Sequence, residues 1–202
     1  MTNQTGLLVI ISSPSGGGKD TIINALLRII PRSVRFITTT SRPPRPGQID
    51  GIDYHFVSSD DFKNKIAHNE LAEYNFYANN YYGTEKSLLE QSLQNYSVIF
   101  TQIDVNGKHH FDQAGISHLS IFLLPENLEV IKNRIEKRGG ISPELIEERL
   151  KIAEKEIAES KDYDYRIVNV QGKLDETIKQ IAAIINGRLA DNAWQKNRFI
   201  IE

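Results

Sequence analysis

The chain has no cysteine. Disulfides and thiolate metal sites are therefore excluded, and a reducing compartment is compatible with the sequence. It also lacks an apolar run approaching the ~20 residues of a membrane span. The first five residues, Met1 to Thr5, carry no charged side chain, and strand-like residues follow at once. That is not the layout of a signal peptide, and a cytoplasmic protein is the expectation. No basic excess is present either. The formal net charge is -2, so no global field draws the chain to nucleic acid or to a membrane surface. There is no internal repeat and no low-complexity segment.

What is present suits a single folded domain. The 202 residues are 40% hydrophobic and 25% charged, enough for a real core under a soluble surface. The apolar run Leu7 to Ile11 leads into Ser12-Ser13-Pro14-Ser15-Gly16-Gly17-Gly18-Lys19-Asp20-Thr21. Ile22, Ile23, Leu26, Leu27 and Ile30 then recur at helical spacing until Pro31. Strand, glycine-rich turn ending in lysine, helix is the layout of a phosphate-binding P-loop. Glycines let successive N–H groups turn toward one anion, the helix N-terminus adds positive partial charge, and Lys19 reaches the outer phosphates. Two positions depart from G-x-x-x-x-G-K-[ST]. Ser13 stands where glycine is usual, and Asp20 replaces the hydroxyl residue.

Further along, Tyr54 to Val57 reads as a short strand, and Ser59-Asp60-Asp61 offers a helix cap. A helix is expected from about Glu85 to Leu93. The apolar runs Val98–Ile103 and Leu119–Leu124 suit strands buried on both faces of a parallel sheet. Helical patterns follow at Leu128, Ile131 and Ile135, and at Leu145 to Ile157. Ser142-Pro143 reads as an N-cap with proline at the first helical position. Tyr165 to Asn169 is a last strand, followed by a helix through Leu174 and Leu189. Strands alternating with helices predict an α/β fold with a mostly parallel sheet.

Three other groups carry chemistry. Asp104 closes an apolar strand, as a magnesium-directed acid would, and as an ordinary turn or helix cap would too. Arg42 and Arg45 sit in the stiff segment Arg42-Pro43-Pro44-Arg45-Pro46-Gly47, after a run of hydroxyl residues. Two guanidiniums can grip a phosphate, with Tyr54 and Tyr81-Tyr82 adding phenolic donors. The alternatives are a solvated basic loop and a Pro-x-x-Pro ligand. Arg134, Arg138 and Arg149 flank Gly139-Gly140, which suits a closing lid, or surface arginines paired with Glu136, Glu147 or Glu148. The five histidines are expected as surface or cap residues. The acidic run Glu144, Glu147, Glu148, Glu154, Glu156 and Glu159 is expected as a solvated helix face.

Taken in order and spacing, these segments resemble the guanylate kinase family from Leu7 to about Leu189. The carrying motifs are Ser13 to Lys19, Thr39 to Gly47, Gly51 to Val57, Asn80-Tyr81-Tyr82-Gly83-Thr84, Ile103 to Gly107, Arg134 with Arg138-Gly139, and Ile167-Val168-Asn169. The resemblance implies a three-layer P-loop fold and transfer of the ATP γ-phosphate to GMP or dGMP, with Mg2+ as cofactor. It implies a core of residues 1–35 and 94–202, a mixed α/β GMP-binding segment of 36–93, and a helical lid near 138–150, in a monomer or homodimer. Thr38, Arg42, Arg45, Tyr54 and Tyr82 would hold the GMP phosphate, and Glu73 and Thr84 would contact guanine. Ser13 to Thr21 and Asn169 would bind ATP. Lys19, Arg42, Arg134, Arg138 and Arg149 would stabilise the transferring phosphoryl, and Asp104 would lie near the metal. Gln102 stands where some members carry an Asp that contacts guanine. Asp20, as a hard oxygen donor, would take the place of the metal-ligating hydroxyl. Two readings compete: a non-catalytic module gripping a phosphopeptide, and a kinase of a sugar phosphate, suggested by Lys19-Asp20.

Overall fold

In the computed structural model, residues 6–77, 79–138 and 142–191 are described. The readings of Met1–Thr5 and of Gly139-Gly140 fall outside those residues. Two sheets form. The larger comprises β1 (Leu7–Ser12), β2 (Ser33–Arg35), β7 (Val98–Thr101), β8 (Leu119–Leu124) and β9 (Tyr165–Val168). All its pairings are parallel, in the order β2-β7-β1-β8-β9. Every residue of β1 is buried, as expected for a central parallel strand covered on both sides.

Alternation along the strands builds two cores. Leu7, Val9 and Ile11 point to one face, where they pack with Ile22, Ile23 and Leu26 of α1 (Lys19–Ile29) and Ile178, Ile181 and Ile185 of α7 (Leu174–Ala190). Leu8 and Ile10 point to the other face, against Phe36, Leu89 of α3 (Lys86–Asn95) and Phe111 of α4 (Val105–Gln113). Each such side chain, fully buried, contributes about 1.5–3 kcal/mol. The result is helix, sheet, helix.

The smaller sheet lies wholly within residues 39–85. It orders β3 (Thr39–Thr40), β4 (His55–Phe56), β5 (Leu71–Tyr77) and β6 (Asn80–Glu85) as β4-β3-β6-β5, mixing parallel and antiparallel pairs. The register between β5 and β6 shifts between Leu71 and Glu73, which leaves Glu73 directly opposite Thr84. Helix α2 (Ser59–Ala67) packs Phe62 inward. Its cap is Ser58, whose hydroxyl accepts from Asp61 N–H, rather than the Ser59-Asp60-Asp61 stretch. Glu85 is the N-cap position of α3 rather than its first helical residue.

Helices α5 (Leu128–Arg138) and α6 (Pro143–Glu159) pack on one another through Ile131, Ile135, Ile146 and Leu150. Ser142 caps α6 and Pro143 opens it, as the sequence predicts. No helix among the described residues is long and apolar enough to cross a membrane.

Two expectations fail. The His118 side chain is 7% exposed rather than superficial, with Nδ1 at 2.7 Å from Ile116 O and Nε2 at 3.4 Å from Asp112. Glu156 does not share the solvated face of its acidic neighbours. It is half-buried near Lys19 and Asp104, and burial pushes its carboxyl up to about 7.

Candidate active site

The parallel strands end on a common edge, where the loops after β1, β2 and β7 meet. Such an edge is where ligands bind in α/β sheets. After β1 the chain turns through residues 13–18. Gly16 and Gly18 have φ of 85° and 91°, a region costly for any residue with a Cβ, and Gly18 caps α1. At Gly17 a Cβ would collide with the Ser13 side chain. Ser13 is therefore compatible with the loop only because position 17 is glycine. Gly17→Ala should force the loop open and lower ATP affinity at least tenfold. Calorimetric titration with ATP and magnesium checks this; unchanged affinity would show that the loop tolerates the displacement.

The loop is braced from outside. Asn169 Nδ2 donates to Gly17 O at 3.0 Å, and Arg134 donates to Gly16 O at 3.0 Å. With those carbonyls held outward, the loop's concave side is left to its N–H groups. Lys19 Nζ lies 2.7 Å from Ser13 O and 3.1 Å from Ser13 Oγ, so its ammonium spans the loop mouth. Pro14 is buried, while Ser15, Asp20 and Thr21 are exposed at the surface of the turn and first helical residues.

Asp20 is engaged on one side. Its Oδ1 accepts from Arg35 at 2.8 Å, and Gln102 stands near the same carboxylate. Burial alone would raise this carboxyl. The hydrogen bond and charge of Arg35, then Gln102 and Lys19, outweigh that and hold it below the usual carboxylate range. Asp104, across the edge, is the N-cap of α4, accepting from Gly107 N–H at 2.7 Å through Oδ1. It also lines the adjoining cavity, so the capping residue faces that space as well.

That cavity, of about 270 Å³, lies between the two sheets. Thr38, Tyr54, Glu73, Tyr82, Gln102 and Asp104 line it together with Asn75, Tyr77, Gly83, Ile103 and Gly107. Thr84 stands behind Glu73 and donates to its Oε1 at 2.7 Å. Glu73 is buried, and desolvation is the main reason its carboxyl is pushed up to about 7; Thr84 works against the rise and the Asp104 charge adds to it. A buried acid facing a cavity, paired with no cation among the described residues, is the mark of a group awaiting a ligand donor.

At the cavity rim the Arg42 guanidinium sits 5.5 Å from the centre of the Tyr54 ring. It donates to Gln48 Oε1 at 2.7 Å, and the Arg45 N–H donates to the same oxygen at 3.0 Å. Gln48 thus folds the proline-rich turn so that both arginines act on Tyr54. Burial raises the Tyr54 phenol, Tyr82 adds to the rise, and Arg42 and Arg45 offset it; the phenol remains a hydrogen-bond donor at neutral pH. This contact ties Arg42 to the cavity rim, while Pro43, Pro44 and Pro46 stay exposed.

Not every candidate converges. Arg149 lies half-buried on α6 and makes no hydrogen bond to the described residues of the P-loop, and the Arg138 side chain is outside the described residues. Residues missed from sequence include Gln48, Asn75 and Tyr77. The last two follow Glu73 at two-residue intervals along β5, a signal available only once that segment is read as a strand. Arg35 gave no signal at all.

The donors fit a magnesium ion shared with phosphates. Asp20 and Asp104 offer hard oxygens beside the Lys19 loop, and no group of three or more metal-ligating side chains exists among the described residues. Magnesium characteristically keeps waters and phosphate oxygens rather than a closed protein cage.

Comparisons with known proteins place the chain in one family. A family model described as guanylate kinase matches residues 5–188. A guanylate kinase of Clostridium perfringens is 38% identical over 91% of this chain and 84% of its own length. One from Rickettsia bellii is 37% identical over 92% and 96%. Among solved structures, a guanylate kinase from Anaplasma phagocytophilum superposes with a TM-score of 0.75 at 27% identity, covering 96% of this chain and 92% of that one.

Proposed function

The chain belongs to the guanylate kinase family: it is an ATP:GMP phosphotransferase, and we propose that the cavity and the P-loop edge divide its work as follows. GMP occupies the cavity. The buried Glu73, steadied by Thr84, accepts from the guanine N1–H and exocyclic N–H. Adenine offers no such donor pair. That acid at the floor of the cavity is the observation that carries the assignment.

Thr38, Arg42, Arg45, Tyr54 and Tyr82 hold the GMP phosphate at the rim. Glu73, Asn75 and Tyr77 share the wall of the smaller sheet, and residues 36–93 act as the acceptor-binding unit. Ser13 to Thr21 and Asn169 bind ATP. A GMP phosphate oxygen attacks the γ-phosphorus, and the β–γ bridging oxygen leaves with ADP. Little covalent help is needed, because positioning and charge supply most of the effect. Lys19 and Arg134 stabilise the transferring group from the loop side. Arg138 and Arg149 join them from α5 and α6. Asp20 and Asp104 would hold a magnesium ion and its waters, and the ion would supply positive charge to offset that of the phosphates.

A coupled assay with ATP, magnesium and a panel of nucleoside monophosphates and sugar phosphates tests the assignment. GMP and dGMP should turn over, with AMP and sugar phosphates at least 100-fold poorer. A preference for AMP or for a sugar phosphate would defeat it. Asp20→Ser should keep activity within about tenfold at saturating magnesium, because serine also supplies an oxygen, while half-saturation moves to higher magnesium. A loss of several hundredfold at saturating magnesium would mean that the carboxylate charge itself is required.

A further inference from the structure

Asp20 brings a full negative charge to the mouth of a loop that must receive a triphosphate. An uncompensated carboxylate there would repel the nucleotide. Three parallel strands supply the compensation. β2, β7 and β1 lie side by side, so their C-terminal ends are neighbours: Arg35 ends β2, Gln102 follows β7, and Asp20 stands in the first turn of the helix after β1. Arg35 donates to Asp20 Oδ1 at 2.8 Å with one nitrogen and to Asn24 Oδ1 at 3.2 Å with the other. Asn24 is one helical turn beyond Asp20, so the guanidinium fork grips two successive turns of α1.

The asymmetry of the grip is informative. The Asp20 side chain is 71% exposed and the Arg35 side chain only 24%. The arginine is the fixed member and the acid the presented one. Gln102, which lines the cavity, stands near the same carboxylate.

We propose that Arg35 is a positioning residue for the donor nucleotide: it holds Asp20 through Oδ1, leaves Oδ2 to the phosphate-bound cation, and cancels the charge that Asp20 adds beside the phosphates. The role extends the reading of Asp20 as a metal-side donor and rests on it in part. Arg35 itself touches neither nucleotide nor metal.

The test is a double-mutant cycle on the full chain: parent, Arg35→Ala, Asp20→Ser and the double variant, each checked by thermal melting. ATP affinity is measured calorimetrically in EDTA, where no cation masks the charge. Arg35→Ala should weaken metal-free ATP about fivefold at low ionic strength, the scale of an exposed pair, and the effect should shrink as salt is added. In the Asp20→Ser background the same change should cost less than twofold. Arg35→Lys should recover most of the charge effect. Arg35→Ala should also widen the ratio of Mg-ATP to free-ATP affinity, because an unpaired carboxylate draws the cation more strongly.

An equal loss in both backgrounds would overturn the proposal, since Arg35 would then merely support the edge of the sheet. So would unchanged metal-free affinity in Arg35→Ala. A non-additive cycle accompanied by an unaltered magnesium requirement in Asp20→Ser would support the charge role of Arg35 and remove Asp20 from the metal.

Discussion

Lys19→Met is expected to reduce kcat by roughly 10³-fold while the melting temperature moves by only a few degrees. The side chain spans the loop mouth, bonded to Ser13 O and Oγ, where an incoming triphosphate places its outer oxygens. A unit positive charge about 4 Å from developing negative charge is worth about 4 kcal/mol at an effective dielectric near 20. That energy corresponds to roughly 10³ in rate if it is expressed in the transition state. Methionine retains length and apolar contact but no charge, so the helix and loop should persist. Steady-state kinetics with GMP saturating, beside thermal melting, check the prediction. A loss below tenfold in folded protein would move the principal phosphoryl-stabilising role from Lys19 to the arginines.

Glu73→Gln is expected to lower kcat/KM for GMP by about 100-fold and to stabilise the protein at the same time. The two effects share one cause. Glu73 is buried, and its carboxyl is raised from 4.5 to about 7 chiefly by desolvation. A folded-state value above the unfolded one means the group favours folding while protonated. That contribution is complete below about 4.5 and is lost as pH rises through about 7. At pH 8 the ionised acid costs stability on the order of 3 kcal/mol relative to a neutral group. Glutamine is neutral throughout and can still accept from Thr84. The variant should therefore melt higher than the parent at pH 8, and the gap should close near pH 4.

The same ionisation governs binding. Only the carboxylate accepts two guanine N–H groups, so the parent's KM for GMP should fall as pH rises from 6 to 8. In the variant the amide NH₂ meets the guanine donors, and only the pH dependence set by the GMP phosphate, with its second ionisation at about pH 6, should remain. Differential scanning calorimetry across pH and a KM–pH series separate the two effects. A variant that is destabilised at pH 8, or one with unaltered GMP kinetics, would refute the assignment of Glu73.

Several elements were legible in the sequence because their cause is local. β1, β7 and β8 are continuous apolar runs, as central parallel strands must be. α6 announces itself with Ser142 and Pro143, and its cap forms as expected. The P-loop is legible for the same reason: its glycines are needed by φ and by close approach within a single turn. The smaller sheet was largely not legible. β3 and β4 are two residues each, and β5 carries Glu73, Asn75 and exposed aromatics that blur its alternation. Glu156 was misread because periodicity alone places it among solvated acids. Its burial follows from where α6 lies against the loop edge.

The sequence by itself determined the class of fold, the phosphate loop and the family, because each is written in short contiguous motifs whose physics acts between neighbours. Tertiary structure alone decided three things. It set Glu73 against Thr84 across a shifted register and closed a cavity over them. It wrapped Arg42 and Arg45 around Gln48 so that the proline turn faces Tyr54. It brought Arg35 to Asp20 from a different strand. In each case the partners are joined by strand order or register, quantities fixed by the packing of whole layers and invisible in the spacing of residues along the chain.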